Sequence, residues 1–220
     1  MSDLVNKKAI LFDLDGTLWD ALDTITEAWN KAMKDNNLNY SFSIATMKSF
    51  MGLTPRETAP LAFEDVSLEK GLEYFSLCLN EEIKYLRIHP GKLYEDEEEV
   101  LKVLQKDFPL FIVSNSDKGY IEDYIEAYKF NKYFTDHVCA GDTNLEKWQN
   151  ILYIKNKYNL EDIIYVGDTL KDQNESNKAG VKFIHAAYGF GEIKEEVNKI
   201  NSLKELPDLV KKVFKSWLFL

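Results

Sequence analysis

Short polar clusters recur along this sequence, and each one directly follows a run of apolar residues. The first cluster is DLDGT at 13–17, and the second is SNS at 114–116. The third is AGDT at 140–143, followed closely by Lys147, and the fourth is GDTLKD at 167–172. Each of the four clusters therefore follows an apolar run. Together they contain carboxylates, small hydroxyl groups and glycines, and one lysine lies close to the third.

These residue types restrict the chemistry. Three or four carboxylates without a set of histidines or cysteines make an all-oxygen site, which suits Mg²⁺ better than zinc. Magnesium together with a lysine and a hydroxyl can hold a phosphoryl group. The sequence has no G-x-x-x-x-G-K-[ST] loop, so the P-loop route to phosphate is absent. A carboxylate is then the expected nucleophile, as in enzymes that form an aspartyl-phosphate.

Composition excludes several other classes of protein. The 220 residues contain 27 basic and 37 acidic side chains, a net charge of −10, and 45% of them are hydrophobic. An acidic surface disfavours nucleic acid and anionic membranes as partners. The two cysteines, Cys78 and Cys139, cannot form a disulfide framework. We expect a soluble, cytoplasmic protein, a monomer or homodimer, whose partner is a small molecule.

The apolar runs before the clusters have the length of β-strands. Strands are predicted at 8–14, 109–114, 136–140, 162–167 and 181–187. Helical patterns separate the later strands, and a last helix is predicted at 209–217. This alternation indicates βαβ crossovers and a parallel sheet, whose strands all present their carboxyl ends at one edge.

Between Trp19 and His89 the sequence has helical patterns and no convincing strand. Long helices are expected after Leu22 and after Leu68, and residues 44–62 are less regular. The predicted fold is an α/β protein: a Rossmann-like parallel sheet interrupted by a helical insertion. The core domain would comprise residues 1–18 and 90–220, and an α-helical cap domain would comprise residues 19–89.

Four segments resemble the motifs of the haloacid dehalogenase superfamily. They are FDLDGTL at 12–18, IVSNS at 112–116, Lys147 and YVGDTLKD at 165–172. The helical insertion is similar to the small α-helical cap of that superfamily. AGVKFIHAAYGFG at 179–191 is similar to its phosphoglycolate phosphatase-like branch.

The resemblance implies roles for residues of the first two motifs. Asp13 would be the nucleophile and a magnesium ligand. Asp15 would protonate the leaving group and then activate water, and its backbone carbonyl would contact the metal. Thr17 would brace Asp15. Ser114 would donate a hydrogen bond to the phosphoryl group, with Asn115 beside it.

The later motifs complete the implied site. Lys147 would neutralise charge on the phosphate and the nucleophile. Asp168 would ligate the metal directly. Asp172 would act indirectly, either on the groups that surround the metal or through Lys147. Many relatives have a proline after the motif lysine, whereas this chain has Trp148, so Lys155 is an alternative to Lys147.

The predicted function is a Mg²⁺-dependent phosphatase that hydrolyses a small phosphate monoester, with phosphoglycolate as the leading substrate. Arg56, in the segment GLTPRE, is a candidate for binding an anionic part of the substrate. A sugar-phosphate mutase is the alternative enzyme, because it uses the same core residues. A receiver-like phospho-acceptor module is the alternative outside enzymes.

Overall fold

The structure is a computed structural model that describes residues 7–215. Its strands are β1 (Lys8–Phe12), β2 (Trp19–Asp20), β3 (Lys92–Leu93), β4 (Leu110–Ser114), β5 (Asp136–Cys139), β6 (Asp162–Gly167), β7 (Lys182–Ala186) and β8 (Lys199–Ile200). Its helices are α1 (Leu22–Asp35), α2 (Ile44–Phe50), α3 (Pro55–Ala62), α4 (Leu68–Ile88), α5 (Glu97–Leu104), α6 (Tyr120–Tyr128), α7 (Ala140–Thr143), α8 (Lys147–Lys157), α9 (Leu170–Ala179) and α10 (Leu206–Lys215). Short 3₁₀ helices lie at Phe130–Lys132 and Leu203–Glu205.

A six-stranded sheet forms the centre of the described chain, in the order β5-β4-β1-β6-β7-β8. Every neighbouring pair of its strands is parallel. The central strand β1 is buried on both faces: Ile10 and Phe12 belong to one hydrophobic cluster, and Ala9 and Leu11 belong to the other. This burial explains why its sequence is a continuous apolar run. The predicted α/β fold with a parallel sheet is confirmed.

The strand order places the predicted polar clusters together. The chain runs from β1 outward to β4 and β5, then returns to the other side of β1 for β6 and β7. In such a sheet, ligands bind beyond the carboxyl ends of the strands, where the order reverses. The residues that follow β1, β4 and β6 therefore meet at this edge.

The segment between β2 and β3 is helical, as the sequence indicates. α1 and α3 both pack against α4, and α2 packs against α1. Trp29 occupies the middle of this group, with its ring centroid 5.2 Å from that of Phe75 and 5.4 Å from that of Phe42, both edge to face. Aromatic pairs in this geometry add to the stability that burial supplies.

Residues 44–62, predicted to be less regular, are mostly helical. Two helices lie there, and each begins at a residue that caps it. The Ser43 side chain accepts a hydrogen bond from the Thr46 amide at the start of α2. At the start of α3, the Thr54 amide donates to the Glu57 carboxylate in a capping box. The motif Thr54-Pro-Arg-Glu57 carries this signal in the sequence.

Two short pairings were not predicted. Trp19–Asp20 pairs antiparallel with Lys92–Leu93, so the stretch after residue 18 does begin with a strand. Lys199–Ile200 adds a further parallel strand beside β7. The predicted last helix begins earlier, at Leu206, and its predicted end at 216–217 lies outside the described residues. Within residues 7–215, no helix is both long and apolar enough to cross a membrane.

Candidate active site

A buried group of charged side chains lies at the carboxyl edge of the sheet. The Nζ atom of Lys147 is 2.9 Å from Oδ1 of Asp13 and 2.6 Å from Oδ1 of Asp172. Asp13, Asp168 and Asp172 each offer a carboxylate oxygen, and these oxygens lie within 4.8 Å of one another. All four side chains are at most 5% exposed. Three acids and one lysine thus share a space that is nearly closed to solvent.

Each member of this group is positioned by the end of an element. Asp13 directly follows β1, and its amide donates to the Val166 carbonyl of the neighbouring strand. Asp168 directly follows β6, and Lys147 is the first residue of α8. Asp172 lies in the first turn of α9, where its Oδ2 accepts hydrogen bonds from the Thr169 amide and hydroxyl.

The electrostatics of the group favour an added cation. Burial, and then the charge of Asp172, raises the pKa of Asp13 above its usual range despite Lys147. Burial, Asp172 and Asp13 raise the pKa of Asp168 well above its usual range. Burial opposes the charge of Lys147, but Asp13 and Asp172 together raise its pKa. One lysine therefore does not balance three buried carboxylates.

The donor set fits a magnesium ion. All candidate ligands are oxygens, as Mg²⁺ prefers. Oδ1 of Asp168 is buried and has no hydrogen-bond partner among the described residues. Both oxygens of Asp172 already accept hydrogen bonds, from Lys147 and from Thr169. Asp13 and Asp168 are therefore better placed than Asp172 to bind a metal directly, and Asp172 orients Lys147.

Two glycines allow the loops to approach Asp168. Gly16 has φ +76°, and a Cβ atom there would lie 2.2 Å from Oδ2 of Asp168. A Cβ atom on Gly189 would lie 2.4 Å from the Asp168 Cβ atom. The Phe190 amide then donates to Oδ2 of Asp168 over 2.6 Å. Side chains at either glycine would displace the carboxylate.

Asp15 has a different environment from Asp13. Its Oδ1 accepts hydrogen bonds from the Trp19 indole at 3.0 Å and from the Tyr120 hydroxyl at 2.7 Å. Burial raises the pKa of Asp15 to about 6, although both hydrogen bonds oppose this. The Thr17 hydroxyl, predicted to brace Asp15, has no hydrogen-bond partner among the described residues. Trp19 and Tyr120 are the observed partners of Asp15, and the role of Thr17 stays a prediction.

Ser114, the last residue of β4, and Asn115, which follows it, line the same space. Oγ of Ser114 accepts a hydrogen bond from the Ser116 amide. Nδ2 of Asn115 donates to the Gly52 carbonyl over 2.9 Å, which joins the sheet edge to the helical segment. Oδ1 of Asn115 is buried without a partner among the described residues. Both side chains line the site, and their binding of substrate stays a prediction.

A cavity of about 90 Å³ opens from Asp13 and Asp15 into the helical segment. Its far wall is mostly apolar, with Trp29, Phe50 and Phe75 among its residues. Arg56 does not line this cavity. It is exposed on α3 and lines a neighbouring cavity, which shares Asn115 with the first.

The alternative lysine is remote from this cluster. Lys155 lines a separate cavity with Glu161 and Lys182, whereas Lys147 contacts Asp13. The geometry therefore favours Lys147 for the role that the motif implies.

Sequence reasoning missed several polar residues of the cavity, among them Tyr120 and Glu82. Tyr120 binds Asp15, and Glu82 projects from α4 beside Trp29. Glu82 is 6% exposed, and burial raises its pKa to about 8. The one available signal for Glu82 was a carboxylate at a helical position that α4 buries along with Cys78 and Leu86.

We expect the buried carboxyl group of Glu82 to lower stability as pH rises. Its folded pKa of about 8 exceeds the ordinary value of 4.5, so unfolding releases a proton between these pH values. The wild-type free energy of unfolding should therefore fall over that interval. Glu82→Gln removes this loss, so its stability relative to wild type should rise by about 3 to 4 kcal/mol between pH 5 and pH 8, because one pKa unit is worth about 1.4 kcal/mol.

Denaturant unfolding at pH 5 and pH 8 measures this difference. Glu73→Gln is the matched control, because Glu73 carries the same charge on α4 with its side chain 58% exposed. An advantage of Glu82→Gln that is equal at both pH values would contradict the buried, neutral state of Glu82.

Comparison with known proteins identifies the family of this chain. The profile of haloacid dehalogenase-like hydrolases matches residues 10–186. The chain belongs to this family. The predicted family is thereby confirmed, together with the hydrolase class of enzyme. The match covers part of β1, all of β2 to β7, the charged cluster and the helical segment, and it argues against the receiver-like alternative.

Individual relatives lie in the predicted branch. The phosphoglycolate phosphatase of Aquifex aeolicus is 28% identical over 210 residues, which cover 93% of this chain and 95% of that protein. The phosphoglycolate phosphatase of Colwellia psychrerythraea is 26% identical over 209 residues, which cover 89% of this chain and 91% of that protein. The resemblance to the phosphoglycolate phosphatase-like branch is confirmed.

Solved structures agree with the fold. A haloacid dehalogenase-like family protein from Streptococcus pneumoniae has a TM-score of 0.77 at 22% identity, covering 94% of this chain and 98% of the other. A predicted phosphoglycolate phosphatase from Haemophilus somnus has a TM-score of 0.79 at 20% identity, covering 94% of this chain and 100% of the other. At such identities these likenesses concern the fold alone.

Proposed function

We propose that this protein is a Mg²⁺-dependent phosphatase that hydrolyses a small phosphate monoester through an aspartyl-phosphate on Asp13. The observation that carries the proposal is the position of Asp13. It follows the central strand, contacts Lys147 at 2.9 Å, lies beside Asp168 and opens into a cavity. The family and the named phosphatases among the relatives support the same reaction.

The residues divide the reaction into two steps. A carboxylate oxygen of Asp13 attacks phosphorus, and the bond from phosphorus to the ester oxygen breaks. Asp15 gives its proton to that ester oxygen, and the alcohol leaves. Asp15 then takes a proton from water, and the water oxygen attacks the phosphorus of the aspartyl-phosphate. The bond from phosphorus to the Asp13 oxygen breaks, inorganic phosphate leaves, and the Asp13 carboxylate is restored.

The surrounding groups support both steps. Lys147 holds Asp13 and offsets negative charge on the phosphoryl group. A magnesium ion held by Asp13 and Asp168 would supply further positive charge. The hydrogen bonds from Trp19 and Tyr120 fix the Asp15 carboxyl. Different environments thereby suit one aspartate to attack and the other to transfer protons.

The helical segment supplies the remaining wall of the site. We propose that residues 19–89 form the cap domain and residues 1–18 and 90–220 form the core domain. The cap helices line the cavity around Trp29 and Phe75, which supports a role in choosing the leaving group. Phosphoglycolate, the substrate in the names of the relatives, is the first ester to test. A cytoplasmic location is also proposed.

Removal of divalent metal should abolish turnover. Without the cation, three buried carboxylates and an incoming phosphate would repel one another with only Lys147 to offset them. Phosphate release from nitrophenyl phosphate should fall at least about a hundredfold in excess chelator and return when Mg²⁺ is added. Full activity in excess chelator would contradict the metal site.

Arg56→Ala should change substrate preference more than it changes the rate on nitrophenyl phosphate. Arg56 is exposed and lines the neighbouring cavity rather than the one at Asp13. Loss of the Arg56 charge should alter kcat/KM by about two- to tenfold for esters whose alcohol part is anionic. Equal losses on esters with an anionic alcohol part and on esters with an uncharged one would place Arg56 in phosphoryl transfer or indicate a folding defect.

A further inference from the structure

Glu82 is a buried acid whose position the phosphoryl-transfer steps do not explain. Its carboxylate accepts one hydrogen bond, from the Trp29 indole over 2.7 Å, and the described residues give it no other partner. Its side chain lines the cavity that begins at Asp13 and Asp15. A buried carboxyl group with neither a counter-charge nor a second hydrogen bond loses stability when it ionises, so its presence calls for a functional reason.

The titratable groups that line the cavity include four carboxyl groups and no cation among the described residues. Its lining, within the described chain, contains no lysine, arginine or histidine. Asp117 and Glu82 add two further carboxyl groups to those of Asp13 and Asp15. Lys147 offsets Asp13 and Asp172, but it contacts neither of the two added acids. A carboxylate on the leaving alcohol would therefore find no cationic side chain to pair with among the described lining residues.

The walls around Glu82 are aromatic. Trp29 and Phe75 lie edge to face with centroids 5.2 Å apart, and Phe50 lies 6.3 Å from Trp29. Aromatic rings that line a desolvated pocket attract ammonium groups through their negative faces. The cavity of about 90 Å³ is also far smaller than pockets for drug-sized ligands, which hold roughly 300 Å³ or more, so the alcohol must be short.

We infer that Glu82 is a specificity-determining residue that selects phosphate monoesters of short aminoalkyl alcohols and rejects esters whose alcohol carries a carboxylate. The inference rests on the proposed phosphatase activity and refines its substrate class. Glu82 stays neutral without a counter-charge, and an ammonium group supplies the positive charge that lets it ionise. A hydroxyl group supplies only a hydrogen bond, and a carboxylate meets acidic side chains and no cation among the described lining residues.

Three esters of equal chain length test the inference: aminoethyl phosphate, hydroxyethyl phosphate and phosphoglycolate. We expect kcat/KM to fall in that order, by at least about tenfold from first to last. Glu82→Gln keeps an oxygen acceptor for the Trp29 indole but removes the charge. The ratio of kcat/KM for aminoethyl phosphate to that for phosphoglycolate should therefore drop about tenfold in this variant.

Glu73→Gln is the matched control, because it removes one charge from the exposed side of the same helix and should leave the ratio unchanged. A cooperative unfolding transition shows that Glu82→Gln is folded. A wild-type preference for phosphoglycolate, or a ratio that Glu82→Gln leaves unchanged, overturns the inference. A loss of phosphoglycolate turnover in Arg56→Ala but not in Glu82→Gln would place the carboxylate in the neighbouring cavity and also overturn it.

The failure of the underlying proposal gives a different result. If the wild-type protein with Mg²⁺ releases phosphate from none of the three esters and none from nitrophenyl phosphate, the phosphatase proposal itself is wrong. If nitrophenyl phosphate is hydrolysed and phosphoglycolate is preferred, only the role of Glu82 is wrong.

Discussion

Replacement of Asp13 with asparagine should abolish turnover of every phosphate ester. An amide oxygen is a far weaker nucleophile than a carboxylate, and the amide cannot carry the charge that Lys147 and a metal ion would hold. We expect phosphate release to fall by at least about a thousandfold, whichever alcohol leaves. Release of inorganic phosphate from nitrophenyl phosphate and from an alkyl phosphate measures this loss.

The structure offers a control for Asp13→Asn. Asp35 pairs with Lys31 on the exposed surface of α1, so Asp35→Asn makes the same chemical change away from the site. Asp35→Asn should keep wild-type activity. Asp13→Asn should unfold cooperatively, because its asparagine can still accept the hydrogen bond of Lys147. Substantial turnover by folded Asp13→Asn would exclude Asp13 as the nucleophile.

Replacement of Asp15 with asparagine should have an effect that depends on the leaving group. Nitrophenolate leaves without a proton, so Asp13 can still form an aspartyl-phosphate from nitrophenyl phosphate. Hydrolysis of that intermediate then stalls, because no base activates water. We expect a burst of nitrophenol equal to the enzyme concentration, followed by turnover at least about a hundredfold slower than wild type.

An alkyl phosphate should give no burst with Asp15→Asn. Its alkoxide cannot leave without the proton that Asp15 supplies. Asparagine can accept the same hydrogen bonds from Trp19 and Tyr120, so the variant should keep the local geometry. Rapid mixing with both substrates separates the two steps. Turnover of an alkyl phosphate at the wild-type rate would refute the acid–base role of Asp15.

The sequence predicted the core of the site because one physical rule connects the residues. Parallel strands end at one edge, so residues that follow separate strands must meet there. Asp13 and Asp168 follow β1 and β6, Ser114 is the last residue of β4, and the structure brings them together. Lys147 depended on the family motif, because position in the sequence alone does not reveal which helix start faces Asp13.

The residues contributed by helices could not be predicted in this way. Glu82 and Tyr120 lie on α4 and α6, and their direction depends on how those helices pack on the sheet edge. The apolar pattern of each helix indicates a buried face but not which of its polar residues reaches the sheet edge. The contact of Gly189 with Gly16 and Asp168 likewise joins distant parts of the chain. The two-residue pairing of β2 with β3 is too short for any periodicity to show.

The central claim is that Asp13 carries the phosphoryl group during the reaction. Asp15→Asn should accumulate this species when it is mixed with Mg²⁺ and nitrophenyl phosphate and quenched in acid. Mass spectrometry of the digested protein should then find one phosphoryl group per enzyme on the peptide that contains Asp13, and Asp13→Asn should carry none. A phosphoryl group on another residue, or a nitrophenol burst with an unmodified Asp13 peptide, would contradict the account.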